Sequence, residues 1–400
     1  MVHQIKKPRP TLLVINDNHL VVPKGEDPFF KGSQFHRYLT AFDIFDILLS
    51  APVILPGKGM PPNNVVIDGI TVAPRPAYGE VKSFLRHLPG SAFAQLKALR
   101  QQMHRADAVL LVHPSVMAPI FTLANRSHRL PFCIYLIGDS EEVLKGSQKH
   151  STWLRVLGGL YAKFDWWLLM RLARSAHAVF TLGRSLEQKC QFHGVHTIPA
   201  MTSLVRNQNI REPKPKAIGN PIHFLTVCRL SPEKNIEVAL QALNALAAKG
   251  TELHYVVAGD GPWRQHLQQY IDKLVHIKGR VQFTGWLKET ELQAQYEKAD
   301  IFLLPSLSEG IPKVVLDAMA EALPVIASNV GGIPDLVGNG RGWLCAPSDD
   351  KCFLASIEEC LDSDKRLERL EKAHAFIKAH SMEEEANKIQ KVLYEAFVKD

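Results

Sequence analysis

The 400-residue chain is too long for one ordinary hydrophobic core and suits two domains of roughly 200 residues each. Its 46% apolar and 22% charged composition is that of a globular protein and excludes a disordered or fibrous one. The net charge of +7 is uneven: residues 1–200 carry 23 Lys and Arg against 13 Asp and Glu, a balance of +10, and residues 201–400 carry 24 against 27, a balance of −3. The basic half suits nucleic acid, an anionic membrane or an acidic substrate, although no run of five like charges forms a basic tail.

In the first half, apolar runs predict strands over Leu12–Ile15, Ile44–Leu49, Ala108–Val112, Phe132–Ile137, Ala178–Thr181 and Thr197–Pro199. Helices are expected between them, notably Val81–Arg105 and Trp153–Arg174. Thr11–Ile15 is too short for a secretory apolar region, and no stretch of 18 apolar residues exists, so the expectation is a cytoplasmic protein without a membrane span. The six cysteines form no CxxC pair and read as reduced core thiols with no zinc spacing. His113 follows a strand and points toward the end where α/β sheets bind ligands; a structural role and an acceptor-site role both stay open. Trp153–Arg174 mixes Trp153, Trp166, Trp167, Tyr161 and Phe164 with Arg155, Lys163, Arg171 and Arg174. That pattern suits either an anionic membrane surface or a core-facing helix with solvated charges.

The polar, proline-containing stretch Arg206–Pro221 reads as a linker. Beyond it the alternation is clearer. Ile222–Cys228 is a strand; Ser231 and Pro232 mark a helix start, continued by Ile236, Leu240, Leu243 and Ala247 and ended by Lys249-Gly250. Strands follow at His254–Ala258, Val281–Thr284, Ile301–Leu304 and Pro324–Ala327, with helices at Trp263–Val275, Glu289–Lys298 and Pro312–Ala322. Strands alternating with helices imply a parallel sheet covered on both faces.

Chemistry is sought just after each strand. Arg229 and Lys234 follow the first strand of this half; two cations there suit a diphosphate, or are simply solvated surface charges. In the helix expected near Pro312 the N–H groups of Lys313 and Val314 make no bond within the helix, which is a ready anion site. Gly310 allows close approach of a ligand, Glu309 can accept hydrogen bonds from sugar hydroxyls, and Asp317 can reach a ribose.

These blocks resemble the family-4 retaining glycosyltransferases of GT-B fold: Pro305-Ser306, Glu309-Gly310, Pro312, Leu316 to Ala320 and Pro324 to Ala327, preceded by Arg229 to Asn235, Ala258 to Pro262 and Val281 to Gly285, and followed by Val330 to Asp335. The resemblance implies two Rossmann-like, doubly wound α/β domains facing a central cleft. One spans 1–205, the other 206–381, and a last helix at about 382–400 crosses back onto the first. It implies that Arg229 and Lys234 hold the donor diphosphate, that Glu309 with Gly310, Ile311, Pro312 and Lys313 meets the donor sugar, and that Gly259, Gly285, Trp286, Leu287 and Asp317 meet the nucleoside. Asp317 is one methylene shorter than the family's usual Glu. A looser match over Phe35 to Asp43 implies a phosphate-facing loop at Gly32, and Asp139 stands near the place of a histidine found in some relatives. The family generally transfers from a UDP- or GDP-sugar without a metal or other cofactor, to saccharide or lipid-linked acceptors in polysaccharide or glycolipid synthesis. Peripheral membrane attachment, with no nucleic acid partner, accords with that. The alternatives are a sugar-nucleotide epimerase on the same fold and a membrane-associated binding protein with an inactive donor site. A nicotinamide-dependent oxidoreductase lacks its GxGxxG here.

Overall fold

The computed structural model describes residues 9–23, 27–30, 35–54, 65–77, 88–138, 152–213 and 218–398. The chain divides into two compact units, Met1–Thr202 with Met382–Asp400, and Ser203–Ser381.

The strands of the first unit are β1 (Thr11–Ile15), β2 (Leu20–Val21), β3 (Phe29–Phe30), β4 (Asp46–Ile54), β5 (Val65–Ile67), β6 (Ile70–Pro76), β7 (Ala108–His113), β8 (Phe132–Leu136), β9 (Ala178–Leu182) and β10 (Ile198–Ala200). β1 lies at the centre, parallel to β4 on one side and β7 on the other, and β8, β9 and β10 extend the β7 side. Ser50 of β4 pairs with both Ile15 and Ala73, so β6 occupies the far edge of β4. Leu12 to Ile15 are completely buried, as a central parallel strand covered on both faces requires. The chain runs one way from β1 to β4 and β6, then returns to lay β7 on the other side. The C-terminal ends of β1 and β7 therefore flank a topological switch point.

The proline-rich β6, Ile-Thr-Val-Ala-Pro-Arg-Pro, goes unrecognised in the sequence because proline lacks an N–H for the ladder. The long helix expected over Val81–Arg105 is described over Leu88–Met103. The helix Met382–Val398 binds within the first unit. Gln390 Oε1 accepts from the N–H groups of Asp43 and Ile44 at 3.0 and 3.1 Å, and Glu385 Oε2 accepts from Met201 N at 3.0 Å.

The second unit holds β11 (Ile222–Val227), β12 (Leu253–Ala258), β13 (Val281–Gly285), β14 (Ile301–Leu304), β15 (Val325–Ser328) and β16 (Trp343–Cys345). All pairs are parallel, in the order β13-β12-β11-β14-β15-β16. This is the Rossmann order, with its switch point between β11 and β14. The helices Ile236–Ala248 and Asp350–Leu361 pack on each other, while Lys313–Ala320 packs with Ser363–Ala379.

Two expectations need correction here. The helix anticipated from Ser231 starts only at Ile236. Pro232–Lys234 is a single 3-10 turn closed by Asn235 in the left-handed region at φ 48°, and the Ser231 hydroxyl bonds the Glu233 carboxylate (2.6 Å) instead of capping a helix. The Arg206–Pro221 stretch is not a free tether throughout. Arg211 N donates to Ala320 O (2.7 Å), and its guanidinium pairs with Glu297 and Glu321 at 2.7 Å each.

Candidate functional site

The end of β11 carries Cys228, Arg229 and the turn bearing Lys234; the end of β14 carries the loop Pro305–Pro312. Because these strands are neighbours, the two loops meet at the switch point. Lys234 Nζ lies 2.7 Å from Glu309 Oε1, with both side chains mostly buried. The same oxygen accepts from Ser306 Oγ at 2.6 Å, and Ser306 is fully buried. Leu307 N donates to Glu233 O at 2.8 Å, which ties the backbones of the two loops together. Oε1 of Glu309 is thus held by a cation and a hydroxyl. Arg229 is exposed beside it, and Glu233 is lowered below the usual glutamate range by its Ser231 bond, with Lys234 and Arg229 adding to that effect.

Glycines set how closely these segments approach. A side chain on Gly331 would run into the Glu309 carbonyl, and one on Gly332 would meet Gly310 O at 2.5 Å. Gly332 N donates to Gly310 O (3.0 Å), so the Val330–Gly332 turn clamps the Glu309 loop from behind. Gly310 is different: a Cβ there would meet nothing, and its open side faces solvent.

The helix Lys313–Ala320 follows, with the extended Pro312 as N-cap and no side-chain cap. Its first N–H groups point out of the helix start beside Glu309, Gly310 and Ile311. Further along, the Asp317 carboxyl is half-buried and is pushed up to about 7, mainly by burial, with Glu289 and Glu321 adding and Lys313 opposing. On the β13 side, Gly259 N donates to Gly285 O (2.9 Å), and Trp286 stands 79% exposed with Leu287 half-buried next to it. The second unit therefore gathers Arg229, Lys234, Glu309 to Lys313, Asp317, Gly259, Gly285, Trp286 and Leu287 along the C-terminal ends of one sheet. Ser306 and Gly331-Gly332 stand within the blocks read from the sequence, but their roles as contributors were not read there; for Ser306 the Ser-x-x-Glu spacing was the available signal.

The first unit is arranged differently. His113 is completely buried, with Nε2 3.3 Å from Asp165 Oδ2, itself buried on the helix Thr152–Ala173. An open, crevice-facing histidine is not what the structure has: burial leaves the ring no solvent-facing edge. The switch point between β1 and β7 is filled by the chain itself. Asp17 Oδ2 accepts from Val116 N (2.8 Å), and its other oxygen meets Arg75 at 3.0 Å. Arg75, 1% exposed and unnoticed in the sequence, also donates to Asn16 O (2.6 Å) and Gln95 Oε1 (3.2 Å). Gly32 and Asp139 lie outside the described residues.

Residues 207–392 match the family described as glycosyl transferases group 1. This stretch, just under half of the chain, is similar to that family. Its loops are the ones that meet at the β11/β14 switch point. The amylovoran biosynthesis glycosyltransferase AmsK of Erwinia amylovora is 36% identical over 148 residues, which is 35% of this chain and 36% of AmsK. Against AmsK and the two relatives that precede it in similarity, the chain spans only 36–40% of the relative's length. Over the whole chain, the sucrose-phosphate synthase of Thermosynechococcus elongatus superposes with a TM-score of 0.70 at 16% identity, covering 98% of this chain and 100% of that one. Anabaena Alr3699/HepE, solved in complex with UDP-glucose, gives 0.63 at 17% identity, covering 97% and 100%. At these identities the likeness speaks for the fold alone, and that fold is GT-B.

Proposed function

We propose that the protein is a glycosyltransferase that moves a hexose-type sugar from a UDP- or GDP-sugar to a saccharide or lipid-linked acceptor, in polysaccharide or glycolipid synthesis. One observation carries the reading: Lys234 and Glu309 meet at the open switch point of the second unit, beside an uncapped helix start. Arg229, Lys234 and the N–H groups of Lys313 and Val314 stabilise the charge that builds on the departing diphosphate, a preorganised electrostatic strategy that asks for no divalent cation. The free oxygen of Glu309 accepts from the donor sugar, Asp317 from the ribose, and the exposed Trp286 offers a face to the base. The description of HepE in complex with UDP-glucose supports a uridine donor.

In the resemblance drawn from the sequence, transfer proceeds with retention, and the leaving phosphate helps to take the acceptor's proton. No protein nucleophile is then required. The acceptor belongs to the first unit. Its exposed Phe164 and Trp167, with Lys163 and Arg171 on the same helix, support peripheral attachment to an anionic membrane on its cytoplasmic face.

The test is a thermal-shift series with UDP, GDP, ADP and their hexose conjugates. A ligand bound by the native state raises the melting temperature by mass action. A rise with UDP or GDP and its sugar is expected, and no rise with any of them overturns the reading.

A further inference from the structure

The cysteines of the chain are scattered in sequence, but the fold brings two together. Cys345 ends β16, and Cys352 lies in the first turn of the helix Asp350–Leu361. Their sulfurs are 2.7 Å apart, against about 2.05 Å in a disulfide bond. No other pair of the chain's thiols stands in such contact among the described residues. The six residues between them are held in place by two hydrogen bonds. Asp349 Oδ1 accepts from Cys352 N (2.9 Å) and caps the helix. Ser348 sits in the left-handed region at φ 63°, a costly conformation for a residue with a side chain. Its hydroxyl accepts from Asn235 Nδ2 at 3.3 Å. Asn235 directly follows Lys234.

We infer that Cys345 and Cys352 are an oxidation site that closes to a disulfide at the expense of a small-molecule disulfide. Accessibility orders the steps. Cys352 is half-buried and reaches solvent, whereas Cys345 is fully buried and its thiol is pushed up to about 12 by that burial. The Cys352 thiolate attacks the external disulfide, forms a mixed disulfide and releases one thiolate. Cys345 then gives its proton to solvent and attacks the Cys352 sulfur, which releases the second thiolate. Two protein thiols are oxidised and one disulfide is reduced to two thiols, so the electrons balance. The bond closes across the strained Ser348 turn and restricts its unfolded alternatives, so the bridged chain is the more stable form.

The experiment treats the full chain with oxidised glutathione, blocks remaining thiols with iodoacetamide and maps tryptic peptides without reduction. The expected product links peptide 342–351 to peptide 352–365 through Cys345 and Cys352. It melts higher than the reduced chain, and dithiothreitol reverses both changes. Cys345→Ser stops at one glutathione on Cys352; Cys352→Ser shows neither the link nor the melting shift; Cys360→Ser, which removes the other thiol of the second peptide, changes nothing. A wild-type chain in which both thiols are alkylated after oxidation, or which keeps a stable glutathione on Cys352, overturns the inference. So does a link that survives Cys352→Ser.

Discussion

Glu309 and Lys234 pair across 2.7 Å, yet the proposed reaction needs Lys234 for a diphosphate. A bound diphosphate competes with Glu309 for the same cation. Glu309→Gln keeps a hydrogen-bonding group for Ser306 and Lys234 but removes the competing charge. The nucleoside diphosphate found by thermal shift should bind this variant at least as tightly as wild type, while transfer falls by roughly a hundredfold or more, the scale of losing one electrostatic stabiliser. Near-normal turnover sinks the assignment of Glu309. Lys234→Ala should weaken the same nucleotide about tenfold, or about 1.4 kcal/mol, read by titration calorimetry.

Asp317 supplies a pH signature. Its folded-state carboxyl is raised to about 7, above the ordinary aspartate value, so between about pH 4 and 7 the folded chain binds more protons than the unfolded one. Stability therefore falls as pH rises through that window, and the cost of ionising the buried acid is fully present above it. Asp317→Asn should raise the melting temperature at pH 8 and leave it unchanged near pH 4. The gain is on the order of 1 kcal/mol, since a half-buried side chain keeps part of its solvation. Scanning calorimetry that finds the same difference at both pH values removes this account.

At the scale of elements, five of the six strands of the second unit were legible because each is a short apolar run punctuated by Gly, Pro or Asn, whereas Trp343–Cys345, at three residues, was too short to be read. Ile301–Leu304 and Glu289–Lys298 stand where the pattern puts them. The start of the Ile236 helix was misread because Ser231-Pro232 is equally good chemistry for a helix and for a 3-10 turn. What decides is Asn235, which tolerates φ 48° and lets Lys234 turn toward Glu309. β6 was hidden by its prolines, and Arg75 within it could not be placed at the β1/β7 crevice without the long-range pairing of β4 with β6.

The site's residue types were readable, but its clamp was not. That Gly331 touches the Glu309 carbonyl follows from β14 and β15 being neighbours, which no local pattern states. Gly331→Ala tests the clamp. The added Cβ would displace the Glu309 backbone, and φ 53° already strains any L-residue. Transfer should drop by more than tenfold, with a loss of about 1–3 kcal/mol in stability from strain, whereas Gly310→Ala, whose Cβ meets open space, should keep the stability. Equal melting temperatures for wild type and Gly331→Ala would show that the loop does not depend on this contact.

For the whole molecule, the charge division of +10 and −3 between the halves of the sequence has a local counterpart in the first unit. Phe164 and Trp167 stack at 5.9 Å, each 56% exposed, and Arg171 lies 5.9 Å over the Trp167 ring. Phe192, at the end of a second helix, is 87% exposed. No helix among the described residues is long and apolar enough to cross a bilayer. Apolar rings ringed by cations bind best where anionic headgroups raise the local cation concentration and an interface accepts the rings. The chain should therefore sediment with vesicles containing anionic lipid and much less with neutral ones, and the difference should shrink as salt rises from low to physiological strength. Replacing Phe164 and Trp167 together by Ser should cut binding to anionic vesicles about tenfold by removing the inserted apolar area, roughly 1.4 kcal/mol or more. Lys163 and Arg171 changed to Gln should instead flatten the salt dependence, because they supply the long-range attraction and not the insertion. Equal sedimentation with neutral and anionic vesicles, or binding untouched by the double Ser substitution, rules out this face as the membrane contact.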